Sequence, residues 1–418
     1  MRRYDHHAIL IQPIRYTLRY PLRRGLILAV ALAVWLTACA NLPPPAPAPR
    51  LESERAGEPT LADLWDGTAR FVVDVADTGL PMGESDTVLL DDGTLRAYVH
   101  ASMQSLGVID QCGQPVAFPG CVVLFTSEDG GQTFAPTRSA QGAVQCQIPC
   151  RSCPCTSQHD HIDQQQYPRL AWWRDPLSQT IDWSMVYEYR ANTILRRSPD
   201  GLAWSDAAEV PLTGIWRGWL MPCRPEEMIG PHPHAAGEYD CLTGSPPGIF
   251  VDDRSGAPEL YIFVGLGQNP SSMGCYRGPL GAPPSLLRKC DHTPLFTGSA
   301  TYGPLDRSDQ TANPHFDFRT ISSAEVIRVG DEIYMLYEGV RGPQAGDAGD
   351  TQFALGLART QSGLIDGPWQ RYAGNPILVD LPGNVGVGHA DLVVMDGATY
   401  LYTSLDGITR SRLALVWN

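Results

Sequence analysis

The chain has 418 residues, with 31 Lys and Arg against 45 Asp and Glu, a formal net charge of −14 at pH 7. So acidic a chain argues against nucleic acid or an anionic membrane surface as the main partner and suits a neutral or cationic ligand. Gly (41) and Pro (36) are frequent, helical periodicity is almost absent after residue 60, and short strands alternate with turn signals, which is the pattern of an all-β protein.

Residues 1–38 read as an export signal. Arg2, Arg3, Arg15, Arg19, Arg23 and Arg24 make a basic segment, and Gly25–Leu36 is an apolar run too short to span a membrane as a mature helix. Leu36-Thr37-Ala38-Cys39 resembles a bacterial lipobox, which predicts a lipid-modified Cys39 at the new N-terminus; an ordinary signal peptide or an uncleaved anchor is the alternative. Ala40 after the cysteine favours the outer membrane in a two-membrane bacterium. Removing residues 1–38, with six Arg and one Asp, takes the net charge from −14 to about −19. Residues 39–58 contain the extended Pro/Ala tether NLPPPAPAPR, and the folded domain is expected over 59–418.

Eleven cysteines leave ten once Cys39 is set aside, an even number in an exported chain, which predicts disulfides. Proximity suggests Cys112–Cys121, Cys223–Cys241 and Cys275–Cys290, with Cys146, Cys150, Cys153 and Cys155 closing a loop on itself. The alternative for that loop is a zinc site completed by His159 and His161.

Five similar units follow in chain order. They begin at Glu84-Ser85-Asp86, Tyr167-Pro168-Arg169, Pro246-Pro247-Gly248, Ser323-Ala324-Glu325 and Gly388-His389-Ala390-Asp391, and each opens on a hairpin. The clearest is Ser323–Glu338, SAEVIRVGDEIYMLYE, with its turn at Gly330-Asp331. Taking residues 86, 169, 248, 325 and 391 as equivalent gives spacings of 83, 79, 77 and 66, enough for four-stranded blades with long loops. Second hairpins are expected at Cys121–Phe134, Asn192–Trp204 and Phe353–Trp369, with a degraded one around Met273–Leu287. The last unit keeps a single strand, Ser411–Trp417. Thr68–Val73, a strand without a neighbour, would complete it and close the ring. The predicted fold is a five-bladed β-propeller, with six blades as the alternative.

Ser127–Phe134, SEDGGQTF, resembles the Asp box of sialidase-type propellers, and Ser198–Trp204 is a shorter relative; both are turn devices and carry no activity. Asn375-Pro376-Ile377-Leu378 and Asp366-Gly367-Pro368-Trp369 resemble phrases of five-bladed glycosidase propellers, glycoside hydrolase families 43 and 32 among them. That resemblance implies a base Asp in the first blade, matched by Asp86, an acid Glu in the fourth, matched by Glu325, and a central His supporting a metal or water, matched by His389. It also implies a third, tuning carboxylate early in blade three. Gly248 stands there instead, and Asp163 or Asp391 are the substitutes available.

Converging strand starts would bring Asp86, Arg169, Glu325, His389 and Asp391 to one channel, with Arg169 available to bind substrate. Two carboxyls there suit glycoside hydrolysis, one ionised and one protonated. His159, His161 and Asp163 share a face of an extended segment and suit a metal or a sugar-binding rim. Trp216 and Trp219 in GIWRGWL could stack on a sugar ring, against the alternative of loop packing. No cofactor is required by this reading; a divalent calcium or zinc ion on the axis is the one addition the histidines suit. The expectation is a monomeric, lipid-anchored envelope glycosidase acting on a poly- or oligosaccharide. The alternatives are a non-catalytic carbohydrate-binding propeller and a surface-interaction propeller.

Overall fold

Five antiparallel sheets, each running from a common axis outward, account for most of the chain described by the computed structural model, which covers residues 57–101, 106–110, 113–115, 121–148, 165–189, 192–205, 246–266, 272–297, 316–317, 320–341, 352–379 and 387–418. Before the first sheet come the short helix α1 (Leu61–Trp65) and strand β1 (Ala69–Val75). Thr60 caps α1 through its backbone N–H and hydroxyl, both donating to the Asp63 carboxylate at 2.9 and 3.0 Å.

Blade one is β2 (Gly83–Leu89), β3 (Leu95–Ala101), β4 (Val123–Ser127) and β5 (Ala135–Pro136). Blade two shows three strands among the described residues, β6 (Gln166–Arg174), β7 (Ile181–Tyr189) and β8 (Asn192–Ser198). Blade three is β9 (Pro247–Asp252), β10 (Glu259–Leu266), β11 (Ser272–Pro279) and β12 (Arg288–Lys289), with β13 (Phe296–Thr297) also on β11. Blade four is β14 (Thr320–Val329), β15 (Glu332–Arg341), β16 (Gln352–Thr360) and β17 (Trp369–Arg371), with β18 (Leu378–Val379) on β16. Blade five is β19 (Asp391–Met395), β20 (Ala398–Thr403) and β21 (Ser411–Trp417), completed by β1. The β1–β21 register runs from Ala69 opposite Trp417 to Val73 opposite Leu413, so the N-terminal strand closes the ring. The inner strands β2, β6, β9, β14 and β19 neighbour one another in that cyclic order.

Alternation explains why hairpins such as IYMLY lack a polar face. In β15, Ile333, Met335 and Tyr337 face a cluster shared with blade three. Tyr334 and Leu336 face another, shared with blade five and α1. In β3, Leu95, Ala97 and Val99 face blade five, while Tyr98 faces blade two. One apolar layer thus fills each gap between neighbouring blades.

The turn after β4 is built on Asp129. Its carboxylate accepts Ser127 Oγ (2.7 Å), the Gln132 and Thr133 N–H groups (3.0 Å each) and Thr133 Oγ1 (2.6 Å). Phe134 then packs edge-on against Tyr402 of blade five at 5.6 Å. Asp200 repeats the device by accepting from the Leu202 and Ala203 N–H groups at 2.8 Å, and Trp204 meets Tyr98 edge-on at 6.0 Å.

The second hairpin of blade three is reduced, as expected: β12 has two residues and pairs with β11 only at Tyr276–Lys289 and Arg277–Arg288. β11 itself pairs with β10 without interruption from Ser272–Leu266 to Pro279–Glu259. One expectation needs correction. The Cys275–Cys290 disulfide is present, but Cys121 pairs with Cys146, not with Cys112. The segment after Arg138 runs back along the entry to β4, where Gln147 N–H donates to the Val122 carbonyl at 2.8 Å, and this brings Cys146 beside Cys121. Cys112, Cys150, Cys153, Cys155, Cys223 and Cys241 lie outside the described residues.

Candidate active site on the propeller axis

Three inner strands enter the axis through a strained residue. Tyr167, Ser323 and His389 have φ of +54°, +51° and +56°, a region that costs a non-glycine residue about 1–3 kcal/mol. Each stands two residues before Arg169, Glu325 or Asp391, and the ladders of β6 and β14 shift register at the same point. The bulge re-aims the following side chain, which is its common use beside functional sites.

Arg169 lies at the centre and is 2% exposed. Its Nη1 donates to Glu325 Oε2 at 3.1 Å and to the Ser85 carbonyl at 3.2 Å, and lies 3.8 Å from Asp86 Oδ1. Its Nη2 donates to Ser323 Oγ at 2.8 Å. Asp86 also accepts the Leu170 N–H. One guanidinium nitrogen therefore serves both carboxyls, which caps the separation of their nearest oxygens at about 7 Å, a span two carboxyls flanking a glycosidic bond can use.

Burial is the largest influence on both acids. It raises Asp86 to about 7, helped by the Asp391 charge and opposed by Arg169 and the Leu170 N–H. Burial also raises Glu325 well above the usual carboxylate range, and repulsion from Asp86 and Asp391 adds to it while Arg169 offsets part. Arg169 stands nearer Glu325, but Asp86 has the additional backbone donor, which stabilises its ionised form and favours the proton on Glu325.

Asp391 is fully buried beneath this pair. It accepts Ser85 Oγ (2.6 Å), the Thr87 N–H (2.9 Å) and Thr87 Oγ1 (2.9 Å), tying blade five to blade one. Arg410, also fully buried, donates to the carbonyls of His389 (2.9 Å), Tyr402 (2.6 Å) and Gly83. Gly248 brings no side chain, and a Cβ there would overlap the Ala324 carbonyl oxygen and stand 2.7 Å from the Ala324 Cβ.

A second group of polar side chains adjoins the first. His389 Nδ1 is 3.0 Å from Ser323 Oγ, and its ring lies against Tyr167, tilted, with centroids 4.5 Å apart. Its Nε2 faces Glu338 Oε2 at 3.4 Å and Glu84 Oε1 at 3.7 Å. Burial lowers His389 to about 3, and Arg169, Arg410 and His100 reinforce this against the pull of Glu84, so the ring is neutral. Burial raises Glu338 to about 7, with Glu84 adding repulsion. Burial also works to raise Glu84, but its hydrogen bond to His100 at 2.6 Å outweighs it and holds the acid below its ordinary value.

The structure thus brings Asp86, Arg169, Glu325 and His389 into one cluster, with Asp391 beneath. Cys39, His159, His161, Asp163, Trp216 and Trp219 lie outside the described residues. Among the described residues no group of three or more His, Cys, Asp or Glu side chains is placed to hold a metal ion.

No protein-family model matches the chain. No curated protein matches it either. Solved structures similar to it include an endo-1,4-beta-xylanase from Bacteroides thetaiotaomicron, at 12% identity and a TM-score of 0.46 over 82% of this chain and 91% of the other. A glycosyl hydrolase from Bacteroides ovatus is 14% identical at a TM-score of 0.46, covering 82% and 85%. A family 43 arabinoxylan arabinofuranohydrolase from Bacillus subtilis, in complex with cellotetraose, is 12% identical at 0.42, covering 81% and 63%. At such values the likeness decides neither fold nor activity, and both rest on this chain's own geometry.

Glu338, His100 and Arg410 are the members of the site that strand starts alone do not reveal. In an antiparallel hairpin the end of the second strand returns beside the start of the first. Glu338 pairs with Ser322 and His100 with Glu84 in that way. A polar residue closing an apolar strand, as in IYMLYE, was the available signal.

Proposed function

We propose that the axial cluster is the active site of a glycoside hydrolase acting on a poly- or oligosaccharide. Glu325 holds the proton that a leaving sugar oxygen needs, Asp86 acts as the ionised partner that draws a proton from water, and Arg169 orients both. Asp391 strengthens proton retention on Glu325 through its charge. The observation that carries this reading is a single buried guanidinium nitrogen within 3.8 Å of two opposed carboxyls from different blades. A screen with chromogenic arabinosides, xylosides, fructosides and sialosides tests it. Hydrolysis should fall by about 10²-fold or more in Glu325→Gln and Asp86→Asn. Full activity of either variant on a cleaved substrate would end the assignment.

Gly248 favours a second reading. With no room for a third carboxylate on blade three, the cluster could bind a carbohydrate without cleaving it. Glycan-array binding that persists in Glu325→Gln, with no released product, would select this reading.

We further propose that the protein works at the cell envelope, anchored through a lipid on Cys39. Leu36–Cys39, following the apolar run, supports this. Membrane fractionation of wild type against Cys39→Ala tests it, since the variant should lose its membrane association.

A further inference from the structure

Arginine can only donate hydrogen bonds, so a chain of groups that begins at Arg169 has a fixed direction. Arg169 Nη2 donates to Ser323 Oγ at 2.8 Å, and the same oxygen is 3.0 Å from His389 Nδ1. The other ring nitrogen has two carboxylates in reach. Glu84, at 3.7 Å, is already engaged by His100. Glu338, at 3.4 Å, accepts Ser322 Oγ on Oε1 and is approached by the His389 backbone N–H, and no other side-chain donor among the described residues engages its Oε2. Space for Glu338 is left by Gly388, where a Cβ would overlap Oε2 and stand 2.9 Å from the carboxyl carbon.

We propose that Glu338 is a positioning residue for the axial carboxyl pair: as terminal acceptor it holds His389 in the Nε2–H tautomer, which fixes Ser323 Oγ and, through it, the Arg169 guanidinium between Asp86 and Glu325. In this arrangement Arg169 donates to Ser323, Ser323 to His389 Nδ1, and His389 Nε2–H to Glu338. Every proton then has an acceptor. In the opposite tautomer Ser323 Oγ would receive protons from both Arg169 and His389, and its own would have no acceptor in the chain. The charged and titratable groups around the ring are Glu84, Glu338, Arg169, Arg410, His100 and Tyr167, and burial keeps the ring itself neutral.

The inference rests on reading Asp86 and Glu325 as a working pair, but its test needs no substrate. Nitrogen-15 NMR of the full chain with labelled histidine, His389 being assigned from a His389→Gln spectrum, reads the tautomer directly. At pH 8.5, above the value of about 7 to which burial raises Glu338, wild type should carry its His389 proton on Nε2. In Glu338→Leu the proton should move to Nδ1. Gly388→Ala, which crowds the same carboxyl without removing it, should move it too, and guards against a Glu338→Leu variant that does not fold. Glu84→Gln should leave the proton on Nε2. An Nδ1–H tautomer in wild type, an unmoved proton in both Glu338→Leu and Gly388→Ala, or a proton moved by Glu84→Gln overturns the inference. Nε2–H in a protein that cleaves no glycan supports it and counts against the hydrolase reading alone, whereas an active hydrolase with Nδ1–H refutes it alone.

Discussion

At the residue scale, Gly248 decides what the third blade contributes to the axis. The inner strands β9 and β14 approach so closely there that any Cβ meets backbone, not a side chain that could swing away. Gly248→Ala should therefore part the two strands and destabilise the protein by about 1–3 kcal/mol, the usual range for overpacking. Urea unfolding measures this, and an unchanged midpoint would show that the ring can relax. The same crowding explains the departure from the glycosidase resemblance, because a carboxylate at this position has nowhere to go. Asp86, Arg169 and Glu325 were legible in the sequence because equivalent strand starts converge on a propeller axis. Glu338 and His100 were not, because their place depends on pairing register, and the register of β14 slips by a bulge between Ser322 and Glu325. The strained φ of Ser323 is what creates that slip, and nothing in the residue type announces it.

At the element scale, the hairpins were legible because Gly-Asp, Asp-Gly and longer Gly-containing turns separate runs of β-formers. The closure was legible because blade five ends at β21 with no following strand to cover its outer edge, and β1 has no partner in its own neighbourhood. The reduced second hairpin of blade three was legible because β11 carries glycines where a hydrophobic pattern was sought, while the pairing of β11 with β10 does not need that pattern. The cysteine pairing was not legible, since proximity in sequence says nothing about which side of a strand entry a loop returns along. The closing strand carries a consequence. With β1 in place, Arg412 also reaches Asp74, its Nε donating at 2.8 Å. Deleting residues 1–76 would expose the whole edge of β21 and uncover Leu413 and Leu415, which are 2% exposed in the intact ring. The truncated protein should unfold at lower temperature and self-associate, read by calorimetry and size-exclusion chromatography. A monomer with an unchanged melting temperature would mean that β1 does not lock the ring.

At the scale of the whole molecule, the axis gathers more buried charge than any other part of the described fold, and this shapes stability against pH. Burial raises Asp86 and Glu338 to about 7, and Glu325 well above the ordinary carboxylate range. In the unfolded chain these acids release their protons near pH 4, at about 3.9 for Asp and 4.3 for Glu. Between those values and about 7, the folded chain holds protons that the unfolded chain has given up. The stability they contribute is complete at the acid end of that window and is lost as pH rises through it. His389 acts in the opposite sense. Its folded value of about 3 lies below the unfolded value of about 6.5, so its contribution is lost as pH falls through the same region. Three groups oppose one, and the carboxyls dominate the overlap. Below about pH 4 other acids take over: Glu84, Asp200 and Asp252 lie below their ordinary values and Asp129 is held at about 2, so their stabilisation disappears on acidification. The melting temperature should accordingly peak near pH 4, fall towards pH 8 and fall again towards pH 3. Glu338→Gln removes one of the three acids and should flatten the decline between pH 5 and 7. A melting temperature that rises steadily from pH 5 to 8 would mean that the axial carboxyls are ionised throughout, and the protonated Glu325 required for glycosidic cleavage would be lost with it.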